Sequence, residues 1–208
     1  MKPLLSLVMM LAAAGAQAQI NHPYNEIGIY TVEQPDGCAT AQIDVAPMVQ
    51  FTCYLVLTKP YSETLGRPVA TVGGVECRYV LPDGLMLLSG RYPPGTFPPC
   101  FPGPGELLFA CNVPVVDDRC VLFTFTFMSL DGAPGFIHLT PLPSYQSLPG
   151  QMAFTDYDDE DFALHAMHPV SGSFDVPVFA INWDGDLSFC ETVPVRDVSF
   201  GKVKALYR

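Results

Sequence analysis

Positive charge is scarce in this chain: 10 Lys and Arg stand against 21 Asp and Glu, a formal net charge of −11. A surface this acidic repels phosphate backbones, which argues against nucleic acid as a partner and against an anionic membrane surface. Charge of either sign is sparse at 15%, while 49% of the chain is hydrophobic, so intrinsic disorder is excluded. Several catalytic and metal-binding spacings are absent: there is no Cys-x-x-Cys, His-Glu-x-x-His or Gly-x-Ser-x-Gly, and no glycine-rich phosphate loop. Uninterrupted helix-forming stretches are lacking too, because 21 prolines are scattered along the chain. Each interior proline costs a helix about 3 kcal/mol, which excludes bundles and coiled coils.

What the N-terminus does contain is the pattern expected of an export signal. Met1-Lys2-Pro3 gives a short positive start, residues 4–14 are apolar apart from Ser6, and Ala16-Gln17-Ala18 supplies the small-x-small cleavage pattern. The apolar run is too short for the ~20 residues of a membrane span. The expectation is a bacterial-type signal peptide over residues 1–18 and a single mature domain over 19–208, secreted, periplasmic or at the cell surface. No cysteine follows the cleavage point, so a lipid anchor is not expected, and no later run is long enough to span a membrane. A mature chain of this size can bury roughly 70% of its unfolded surface.

Cys38, Cys53, Cys77, Cys100, Cys111, Cys120 and Cys190 all lie in the mature part. An oxidising compartment makes disulfides the expectation for them, with one thiol left over. Sequence does not choose the pairing. Cys100 and Cys111 flank a Pro/Gly-rich loop, and Cys38 with Cys190 would close a long one.

Period-two alternation marks the strands. Phe51, Cys53, Leu55 and Leu57 share one face; Val75, Cys77, Tyr79 and Leu81 another; Phe123, Phe125 and Phe127 a third. Further strands are expected at 26–32, 41–45, 85–89, 107–113, 136–140, 162–166, 178–182 and 198–206. Turns fall between them at Pro82-Asp83-Gly84, Leu130-Asp131-Gly132, Leu148-Pro149-Gly150 and Trp183-Asp184-Gly185. The expected fold is all-β, an antiparallel β-sandwich of about 8–10 strands, disulfide-stapled, with little helix.

Two acidic segments are candidate calcium sites. Asp156, Asp158, Asp159 and Asp161 crowd hard oxygen ligands into one loop, and Asn182-Trp183-Asp184-Gly185-Asp186 places Asp184 and Asp186 at alternate positions. The plainer reading of the first is a solvated loop that protects an edge strand, and of the second a turn. His165-x-x-His168 is the only histidine pair, but on a strand two residues three apart face opposite ways. Ser171-Gly172-Ser173 lacks the context of a nucleophile elbow and reads as a turn. Tyr145, Tyr157 and Trp183 stand out among the loop aromatics as candidate binding residues.

Asn25-Glu26-Ile27-Gly28-Ile29-Tyr30, the strand 54–60 and the closing Lys202-Val203-Lys204-Ala205-Leu206-Tyr207-Arg208 resemble a group of uncharacterised secreted bacterial proteins. In strand rhythm the layout also resembles cohesin-like β-sandwich modules. The resemblance implies export and a sandwich fold and implies nothing about chemistry. The leading functional expectation is a secreted, non-enzymatic module that binds an extracellular protein or glycan through its loops, with calcium as a possible structural ion. The alternatives are a secreted hydrolase built on His165, His168 and the acidic loop, or a structural subunit of a surface assembly linked through the odd cysteine.

Overall fold

The computed structural model describes residues 24–36, 38–97, 103–144 and 146–185. The expected signal peptide, the expected strand at 198–206 and the closing motif lie outside the described residues. Those described form thirteen strands: β1 (Glu26–Tyr30), β2 (Gln42–Ile43), β3 (Gln50–Thr58), β4 (Tyr61–Ser62), β5 (Arg67–Pro68), β6 (Thr71–Val80), β7 (Leu85–Arg91), β8 (Glu106–Pro114), β9 (Arg119–Ser129), β10 (Gly135–Thr140), β11 (Met152–Asp156), β12 (Leu164–Pro169) and β13 (Phe179–Ile181). Strands β2, β4 and β5 are two-residue pieces. The one helix among the described residues is a single 3-10 turn, Cys38–Thr40.

One layer of the sandwich runs β7–β9–β3–β1, antiparallel throughout. The other is built around β6, with β8 along one edge. The opposite edge of β6 is shared, with β11 beside its first part and β10 beside its last residues. Strand β12 extends β11, while β13 and then β2 extend β10. Two pairings depart from the antiparallel expectation: β1 with β12 and β13 with β2 are parallel. Parallel neighbours need long crossovers, and here nearly the whole described chain separates β1 from β12.

The alternation read from sequence is what buries the core. Phe125 and Phe127 are completely buried and Phe123 nearly so, with ring centroids 4.8 and 5.0 Å apart along β9. Tyr79 meets Phe125 edge-on, and Tyr92 wedges between Phe109 and Phe123. Each such ring contributes about 1.5–3 kcal/mol through burial. Gly90 is required for this fit, since a Cβ there would sit 2.3 Å from the ring of Phe123.

The disulfide expectation is corrected for four cysteines. Cys53, Cys77, Cys111 and Cys120 are free, buried thiols. Strand register sets Cys53 opposite Phe125, Cys77 opposite Leu107 and Cys120 opposite Leu57, while Cys111 lies close enough to Cys120 to help raise its pKa, yet both stay free thiols. They pack as small apolar side chains. The Cys111 thiol also donates to the Val72 carbonyl at 3.4 Å. Burial raises the pKa of all four, to about 12 for Cys77 and Cys111, which leaves them unreactive near neutral pH. Cys100, Cys190 and the side chain of Cys38 lie outside the described residues.

Candidate functional site

The outer face of the β6 layer is not flat. Gly73 and Gly74 lie near the start of β6, and both of its edges slip register there, against β8 between Val72 and Gly74 and against β11 between Thr155 and Asp156. Neither glycine has room for a side chain. A Cβ on Gly73 would lie 2.9 Å from Thr155 Oγ1 and 3.1 Å from the Tyr157 backbone, and one on Gly74 would lie 3.3 Å from the Phe109 carbonyl. With Ala110 and Ala153 beside them, the glycines form the floor of an open groove of about 450 Å3.

The groove's walls are apolar and partly exposed. Phe97 bridges to Ala110 through both backbone hydrogen bonds, at 2.8 and 3.2 Å, yet leaves its ring 77% exposed. Phe162 and Leu164 form another part of the wall. Phe162 is 54% exposed and held at φ +48°, a conformation that costs a bulky residue on the order of 1–3 kcal/mol. The acidic run holds it there: the Phe162 amide donates to the Asp159 carbonyl at 2.9 Å. Its ring meets Tyr157 edge-on at 6.1 Å.

The acidic run itself is organised by its own backbone. Asp156 Oδ1 accepts from the Asp158 amide and Asp159 Oδ1 from the Asp161 amide, both at 3.0 Å. Asp156 points inward, is fully buried, and faces the half-exposed Arg67 guanidinium of β5 at 3.1 Å. That contact pairs charge with charge without the alignment of a hydrogen bond. Among the described residues no group of three or more His, Cys, Asp or Glu side chains converges as metal ligands do. In the second calcium candidate, Asn182 at φ +50° acts as a clamp. Its Oδ1 accepts from the Val45 amide, and its Nδ2 donates to the carbonyls of Val45 and Gly132. Asp184 is exposed and Asp186 lies outside the described residues.

At the other end of the groove is Glu76. Alternation along β6 points it outward, yet it is only 4% exposed, because the loop at Ser147 covers it. Both carboxylate oxygens share the single amide of Ser147, at 3.0 and 3.1 Å. No cation pairs with it among the described residues.

The candidate pair His165 and His168 does not converge. His165 is buried against Phe154 with its Nε2 unpartnered, whereas His168, three residues on, lies on the opposite face of β12. Burial lowers the His165 pKa, opposed by Asp156, Asp159 and Glu63 and reinforced by Arg67. Ser171 Oγ donates to the Ser173 and Val176 carbonyls and so closes a turn. Of the expected binding aromatics, Tyr157 does not line the groove but packs its ring against Phe162, which does. Trp183 packs edge-on against Phe136 instead, and Tyr145 lies outside the described residues. Sequence reasoning missed Glu76, Phe97 and the role of Phe162; the Gly73-Gly74 pair was the available signal. A second groove of about 570 Å3 opens beside Arg91, Tyr92, Pro93 and Phe123.

No protein-family model matches the sequence, and no curated protein matches it significantly. Among solved structures the chain is similar to a type II cohesin domain from the cellulosome of Acetivibrio cellulolyticus, at TM-score 0.49 and 10% identity over 78% of this chain and 97% of that one. It is also similar to the cohesin module of a Clostridium perfringens family 33 glycoside hydrolase, at 0.45 and 11% over 69% and 89%. A non-cellulosomal cohesin from Archaeoglobus fulgidus gives 0.40 and 8% over 69% and 86%. The likeness concerns chain path alone.

Proposed function

We propose that the protein is an exported, non-enzymatic binding module that takes a segment of a partner protein into the groove across β6, β8 and β11. The observation that carries this reading is Phe162, an aromatic side chain held in a left-handed conformation and half-exposed at the rim of an apolar groove. Folding alone favours burying that ring and relaxing that backbone, and strain of this kind concentrates at binding sites. Exposed aromatics around a concave floor are the usual anchors of protein recognition. A protein segment is favoured over a glycan because the groove offers apolar walls with few polar groups to meet sugar hydroxyls. The working surface is thus a strand face with a loop-built rim, rather than loops alone.

The test uses a pool of octapeptides, random except for one fixed Phe, and the Phe97→Ala/Phe162→Ala double variant. Loss of two anchor rings is expected to weaken retention of the pool about tenfold or more. Equal retention by both proteins would contradict the reading.

A further inference from the structure

Resting on that reading, we propose that Glu76 makes the groove select a partner segment carrying a lysine or arginine alongside its apolar anchor. A carboxylate has about four acceptor positions. Glu76 is almost wholly buried, borders the groove, and receives one amide shared between its two oxygens. Arg78, two positions along β6, makes no ion pair with it, although its own Nε is buried and unpartnered. Burying a charge without a counter-charge is costly, and a cation entering from the groove relieves that cost. Lysine suits the path, because its carbon stem lies along apolar walls while its head reaches a carboxylate. Long-range charge acts in the same direction: the exposed carboxylates of Asp158 and Asp161 flank Phe162, and the whole chain carries −11.

The experiment compares three pools of octapeptides on the immobilised protein, each random except for one Phe and, two residues on, a fixed Lys, norleucine or Glu. The Lys pool should be retained about tenfold more strongly than the norleucine pool, and the Glu pool least. Glu76→Gln keeps an oxygen for the Ser147 amide but removes the charge, so the preference for the Lys pool over the norleucine pool should disappear. Equal retention of the Lys and norleucine pools by the wild-type protein would overturn the selectivity and leave the groove reading standing. That comparison needs no variant to fold. Retention that ignores the Phe97→Ala/Phe162→Ala change would instead overturn the groove reading itself.

Discussion

The β6–β11 ribbon carries two buried carboxylates, and their surroundings differ. Asp156, opposite Val72, meets Arg67 and caps the turn that follows it. Glu76, opposite Ala153, meets one amide and a groove. Both are the same chemical group at similar burial, so the difference lies in what answers the charge. Where the chain supplies its own cation, the carboxylate holds a strand end and a turn together. Where it supplies none, the site has unused accepting capacity facing outward. Burial of an acid is therefore not by itself a sign of function; its list of partners decides.

Substitutions at the two ends should separate these roles. Asp156→Ala removes the ion pair and the Asp158 cap, and should lower unfolding free energy in urea by about 2–3 kcal/mol. The half-exposed Arg67 rehydrates, which keeps the loss below that of a fully buried pair. A stability that does not fall, as expected for Glu76→Gln, would erase the contrast. His165 beside Asp156 adds a pH dependence. Its folded pKa lies below its unfolded value near 6.5, so the unfolded chain protonates first. Stability is full above about pH 6.5 and is lost as pH falls through the folded value. Melting temperature against pH should show this decline, and His165→Phe should flatten it.

Glu76→Gln should raise stability by about 1 kcal/mol, because the Ser147 hydrogen bond survives while a buried charge without a counter-charge is removed. Its larger effect belongs to binding. Smaller still is the expected stability effect of Phe97→Ala, within about 0.5 kcal/mol of zero for so exposed a ring. A large loss of melting temperature there would make Phe97 a core residue and weaken the case for a binding rim.

The layers of the fold were legible because alternation is a direct image of burial. Phe51 to Leu57 and Phe123 to Phe127 face the core as their spacing predicts. The groove was not legible, because it is built where that rule lapses. Strand β11 reads Met152-Ala153-Phe154, all buried, with no alternation to mark it. Strand β6 begins at Thr71, but the Gly73-Gly74 pair interrupts its pattern, so only its later residues stood out. Phe162 was expected to begin a strand, yet it ends a turn whose strain no spacing reveals. The cysteines misled for another reason: their number speaks of a compartment, while their position on inward strand faces makes four of them plain core.

Hydrogen exchange on the full-length protein, with and without the Phe-containing peptide pool, tests the central claim most directly. Slowed exchange at the amides of Gly73, Gly74, Ala110 and Ala153 is the predicted result. Protection confined to Arg91 and Tyr92 beside the second groove, or no protection at all, would contradict it.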